Sequence, residues 1–156
     1  MIDTDKLNFI DNEFPELLKK LTPDTPRKWG QMNAQQMVEH LTDYIRVATG
    51  ETPAPLLTTE EHLPAYRKFL ESEKQFRPGT VNPLNTGAPL PERLGSLEDA
   101  KEEYLAEMKK FHALFRADAG KKTVHPSFGI LTYDDWIKMQ YKHLTHHSKQ
   151  FGLISE

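Results

Sequence analysis

The stretch Thr132-Tyr133-Asp134-Asp135-Trp136-Ile137-Lys138-Met139-Gln140-Tyr141-Lys142-His143-Leu144-Thr145-His146-His147-Ser148-Lys149-Gln150-Phe151-Gly152 decides how this chain is read. Thr132 followed three residues later by Asp135 marks a helix start, and Gly152 marks a helix stop. Between them, Trp136, Met139, Gln140, His143, His147 and Gln150 share one face at helical spacing, while the charges Asp134, Lys138 and Lys142 lie elsewhere. The spacing predicts a helix over about 133–151 with that face turned inward.

Three more helices follow from the same test. Ser96 with Asp99 opens a helix over about 97–117, striped by Leu97, Ala100, Tyr104, Met108, Phe111 and Phe115. Asn33 with Gln36 opens another over about 34–48, striped by Met37, Leu41, Tyr44 and Ala48. Leu7, Ile10, Phe14, Leu17 and Leu21 predict a first helix over about 5–21, with Pro15 forcing a kink or a fresh start. No stretch alternates with period two for long, so no sheet is expected. Seven of the eleven prolines lie between Pro53 and Pro91. Proline has no N–H and turns the preceding residue away from helix, so residues 52–94 are predicted as a mostly irregular connection holding one short helix at about 64–75. The expected fold is all-α: a four-helix bundle, a single domain over residues 1–156, with a long Pro-rich crossover between helices 2 and 3.

Composition limits the chemistry. The chain has 156 residues, 37% hydrophobic and 28% charged, which suits one globular domain. Mean hydropathy is -0.66 and no apolar run approaches the ~18 residues of a membrane span. The acidic, polar start from Met1 to Lys6 does not read as a secretory signal, so the expected location is cytoplasmic, with no membrane partner. A net charge of -3 gives none of the basic excess of a generic nucleic-acid binder. There are no cysteines, which excludes disulfides, thiolate metal sites and a protein thiol nucleophile. Seven histidines stand against that zero, so a transition metal would have to be held by imidazole and carboxylate.

His143 and His147 are four residues apart, which on a helix brings their Cβ atoms to ~5–6 Å on one face. Two imidazoles so placed can meet one ion at ~2.0–2.1 Å. The pair alone is a weak signal, since an inward histidine is ordinarily a hydrogen-bonded core residue. Two neutral imidazoles buried together need several partners, however, and a shared ion satisfies both. The best third ligand is His40, set among the core positions Met37, Leu41 and Tyr44. His62 and His112 read as surface or capping histidines. His125 precedes Pro126-Ser127-Phe128-Gly129 and either overhangs the rim of the site or makes a hydrogen bond at the helix entry. His146 is turned ~100° from His147, with support of a ligand, an interface and solvent all open. Gln36 and Gln140 each lie one turn before a candidate ligand and either orient it, bind substrate or pack. Glu39 is expected to face solvent. There are no paired inward carboxylates, no Gly-rich phosphate loop and no serine elbow.

These residues resemble the DinB/YfiT-like superfamily of metal-binding four-helix bundles. The likeness is carried by His40 on helix 2, the His143 and His147 pair and the string His143-x-x-His146-His147. Two further strings resemble a subgroup of unknown function: Trp29-Gly30-Gln31-Met32-Asn33-Ala34-Gln35-Gln36-Met37-Val38-Glu39-His40-Leu41, and His125-Pro126-Ser127-Phe128-Gly129 followed by Trp136. The resemblance covers residues 5–152 and is loosest across the prolines. It implies a crossover between helices 2 and 3, a divalent metal (zinc or nickel) on His40, His143 and His147, and often a homodimer. Relatives include transferases and an isomerase that use low-molecular-weight thiols, and metal-dependent hydrolases.

The function expected from the sequence is a metal-dependent enzyme, a thiol S-transferase or hydrolase acting on a small molecule. Three histidine ligands leave a coordination position open, as in catalytic rather than structural zinc sites. The protein has no thiol, so any sulfur would come from a small-molecule thiol. His125, Gln140 and Gln36 are the candidate catalytic residues beside the metal. The rival expectation is a non-catalytic metal- or ligand-binding bundle serving binding or dimerisation.

Overall fold

The last helix runs Tyr133–Gln150, and its start is a complete capping box. The Thr132 hydroxyl accepts from the Asp135 N–H, and the Asp135 carboxylate accepts from the Thr132 N–H. The computed structural model describes residues 1–79 and 88–156; residues 80–87, part of the expected connection and including Pro83, lie outside the described residues.

In chain order the described helices are α1 (Thr4–Asn8), α2 (Phe14–Lys19), α3 (Ala34–Thr49), α4 (Leu63–Glu71), α5 (Leu97–Ala117) and α6 (Tyr133–Gln150). A wide turn, Phe9–Glu13, joins α1 to α2. Pro15 lies in the first turn of α2 and has no N–H for the preceding turn's carbonyls, so the ladder is widened just before it. The chain stays helical through the interruption that the sequence marks as a kink or restart. The Asn33 and Gln36 capping box opens α3, and Gly50 in the left-handed region (φ 86°) ends it. The short helix of the proline-rich connection is α4, which follows a single tight turn at Glu60–His62 and stops before residue 75.

The expectation of no sheet is corrected. Thr123–His125 (β1) and Gly129–Leu131 (β2) form an antiparallel hairpin that pairs His125 with Gly129. Each strand has three residues, too few to display an alternation in the sequence. The described residues are thus mostly helical with one small hairpin.

α3 lies along α5, and α6 packs against α1, α3 and α4. The stripes Met37, Leu41, Tyr44, Ala48 and Leu97, Ala100, Tyr104, Met108, Phe111, Phe115 are buried as their spacing predicts. Phe14 packs edge-on against Tyr104 at 5.5 Å, and Phe115 stacks on Tyr133 at 5.3 Å. No helix among the described residues is long and apolar enough to cross a membrane.

Three polar residues are more deeply placed than the sequence suggests. Lys142, on the charged side of α6, is 1% exposed. The chain leaving α4 folds across it, and its ammonium donates to the carbonyls of Ser72 and Lys74 while lying 4.6 Å from the Phe69 ring centre. Glu39, expected in solvent, is 4% exposed. Its carboxylate accepts from the N–H groups of Arg93 and Leu94 and from the Gln35 amide, which fastens the end of the connection to α3. His112, read as a surface or capping residue, is 7% exposed. Its ring lies between the Asp11 carboxylate (2.8 Å) and the Tyr133 hydroxyl (2.6 Å), so it ties the first helical segment to α5 and α6. In each case a partner distant in sequence accounts for the burial.

Candidate metal centre

His40 comes from the middle of α3, and His143 and His147 from consecutive turns of α6. The three imidazoles converge: ring centres lie 4.8 Å apart for His40 and His143, 4.9 Å for His40 and His147, and 4.8 Å for His143 and His147. One ring nitrogen from each falls within 4.8 Å of the others. The Nε2 atoms of His40 and His143 are 2.8 Å apart, each turned toward the other. Ligand nitrogens around a tetrahedral zinc stand about 3.3 Å apart, from a bond of about 2.05 Å. The cluster therefore lies within a small side-chain adjustment of a metal-binding geometry.

Electrostatics favour the ligand form. Burial pushes His40 down to about 4, helped by repulsion from His146. Burial, and then the neighbouring imidazoles, hold His143 and His147 well below the ordinary histidine range. All three rings are neutral at pH 7, the state in which imidazole binds metal.

The tautomer of His147 is set by a partner whose role the sequence does not announce. The Gln150 amide nitrogen donates to the Trp29 carbonyl at 3.0 Å, which leaves Gln150 Oε1 as the acceptor 2.6 Å from His147 Nδ1. His147 Nδ1 must then carry the proton, and its Nε2 lone pair is free for an ion. Gly30 has φ 81° and sits so near that a Cβ would meet Gln150 Nε2 at 2.9 Å. The Trp29-Gly30 step is the only trace of this in the sequence. Tyr44 was legible as core; the structure sets its ring 5.3 Å from His40 and 5.2 Å from His143.

These groups line a cavity of about 930 Å³. Its wall is largely aromatic and apolar, with Trp29, Tyr66, Phe76, Phe128, Met139 and Leu90. His146 also lines it, with its ring 5.5 Å from Trp29 and 5.9 Å from Phe76. The polar rim holds Glu39, Asp43 and Arg93, already tied to one another: Arg93 lies 3.6 Å from each carboxylate.

The remaining candidates divide. Gln36 lines the cavity, but both ends of its amide are engaged, by the Asn33 N–H and the Leu90 carbonyl. Its observed role is to cap α3. Gln140 is buried on α6 and is not among the lining residues; its amide nitrogen has no hydrogen-bond partner among the described residues. His125 does line the cavity. His62 is exposed and pairs with the Thr59 hydroxyl at 2.6 Å, a surface role as its sequence context predicts.

The sequence matches the family model of the DinB superfamily over residues 7–151. The chain belongs to the DinB superfamily. The match runs from the first helical segment to the end of α6 and includes all three clustered histidines. No curated protein and no solved structure matches this DinB-superfamily chain.

Proposed function

We propose that this DinB-superfamily protein is a divalent-metal-dependent enzyme whose ion, zinc or nickel, is held by His40, His143 and His147. The observation that carries the reading is the convergence of three neutral imidazoles from two helices at the wall of a large cavity. Three ligands leave a position for a small molecule, and a bound ion would lower the pKa of a water or thiol there to near neutrality. The chain's own groups supply the rest. Gln150 orients His147, and the aromatic wall binds an apolar substrate and excludes water from it.

On this reading the helices form a four-helix bundle with a crossover between α3 and α5, and the described parts of that connection, residues 52–79 and 88–94, roof the cavity through side chains such as Tyr66, Phe76, Leu90 and Arg93. The reaction is thiol S-transfer, with the sulfur brought by a low-molecular-weight thiol, or hydrolysis of a small molecule. The protein works in the cytoplasm, as a homodimer. The test is a panel pairing electrophiles with low-molecular-weight thiols, beside a panel of esters and amides, run on metal-loaded protein. Turnover in one panel that disappears in His143→Ala supports the reading; the same turnover in that variant overturns it.

A second reading, a non-catalytic metal- or ligand-binding module, is favoured by one observation. Of the two carboxylates at the cavity, Glu39 is fully engaged by backbone N–H groups and by Gln35 and offers no base, and Asp43 is held 3.6 Å from the Arg93 guanidinium. Tight ligand binding with no turnover in either panel would select this reading.

A further inference from the structure

His125 is 3% exposed and lies in the wall of the same cavity. Its Nδ1 accepts from two backbone donors of its own turn, the Ser127 N–H at 2.9 Å and the Phe128 N–H at 3.3 Å. A nitrogen that accepts these bonds cannot carry a proton, so the neutral ring must bear its proton on Nε2. The ring cannot turn over without abandoning both bonds. It is also wedged between Phe128, Trp136 and Tyr44, at centre distances of 4.8, 5.6 and 5.8 Å. Trp136 is held in turn by its indole N–H donating to Thr123 Oγ1 at 2.7 Å.

The other side of the ring is different. Nε2 is buried and has no hydrogen-bond partner among the described residues. A buried N–H without a partner is unfavourable and uncommon in native proteins, and on a side chain that lines a cavity it calls for an acceptor bound there. Burial in this aromatic setting pushes the imidazole down to about 3, so it stays neutral at any ordinary pH.

We propose that His125 is a fixed, uncharged hydrogen-bond donor for an oxygen atom of the small molecule that binds beside the three clustered histidines, and not a fourth metal ligand. A ligand nitrogen needs a lone pair directed at the ion, and the lone pair of His125 is spent on its own turn. The string His125-Pro126-Ser127-Phe128-Gly129 is then a device that sets a tautomer: the hairpin turn supplies two N–H donors and thereby fixes which ring nitrogen faces the ligand. An uncharged donor suits a carboxylate or carbonyl oxygen and leaves the proton inventory of the site unchanged.

This inference rests on the metal reading above. The test uses cobalt-loaded protein with acetate as the probe, following the visible spectrum of the metal. The variant is His125→Asn, whose side-chain oxygen can accept the turn's N–H groups in place of Nδ1 while the distal donor is lost. Cobalt stoichiometry should be unchanged, and acetate should bind more weakly by about tenfold to a hundredfold. Nitrogen NMR of the wild-type ring should show the proton on Nε2. Acetate binding within twofold of wild type, a proton on Nδ1, or loss of cobalt in the variant would each overturn the assignment to His125. Wild-type protein that takes up no cobalt would instead overturn the metal reading, and this one with it.

Discussion

Gln150 Oε1 lies 2.6 Å from His147 Nδ1, and the same amide donates to the Trp29 carbonyl. One side chain at the end of α6 thus joins the loop before α3 to the tautomer of a candidate ligand. Replacing Gln150 by Leu keeps the volume and removes both bonds. Metal affinity should fall by about 10–100-fold, the usual effect of losing a partner that orients a ligand. Competition with a chelator measures it, and unchanged affinity would show that His147 needs no such support.

Gly30 tests the same link from the backbone. At φ 81° an alanine is strained, and its Cβ would stand 2.9 Å from Gln150 Nε2. Gly30→Ala should cost roughly 1–2 kcal/mol in stability and weaken metal binding as the Gln150 variant does. A stability loss with normal metal affinity would separate the two effects and contradict the link.

Lys142 holds the turn after α4 against α6 through the carbonyls of Ser72 and Lys74. Lys142→Met leaves both carbonyls without their charged donor, at a cost of about 1.5–3 kcal/mol. Thermal or urea unfolding reads the loss. Lys142 precedes His143 but is turned about 100° from it around α6 and reaches the turn after α4, so metal stoichiometry should not change.

Acid should destabilise the metal-free protein through His125. Its pKa is pushed from 6.5 to about 3 by burial. Between these values the unfolded chain takes up a proton and the folded chain does not, so stability present above pH 6.5 is lost as pH falls toward 3. For this one group the loss from pH 7 to pH 5 is about 2 kcal/mol. Urea unfolding in the presence of chelator should show a pH slope shallower by that amount in His125→Asn. Equal slopes would mean that His125 is not a buried neutral ring.

How much of this was legible beforehand depends on the range of the interaction. The start of α6 and the stripes of α3 and α5 follow from local spacing and caps, and there the sequence reading coincides with the structure. The cluster of His40, His143 and His147 was also readable, because helical periodicity points all three at one interior. The hairpin was not, since three-residue strands such as Thr123–His125 carry no measurable period. The burial of Glu39, His112 and Lys142 was not either. Each is covered by a partner 54 to 101 residues away, such as Arg93 against Glu39, Asp11 against His112 or Ser72 against Lys142, and nothing near them in sequence announces it. The tautomers of His125 and His147 are fixed by Ser127, Phe128 and Gln150, close in sequence, yet they become visible only once the rings have a direction.

The most direct test of the central claim is elemental analysis of the protein purified without a histidine tag. The account predicts about one divalent ion per chain, and its loss in His143→Ala with the fold retained. A metal-free wild type that resists reconstitution, or a His143→Ala variant that keeps its ion, would contradict it.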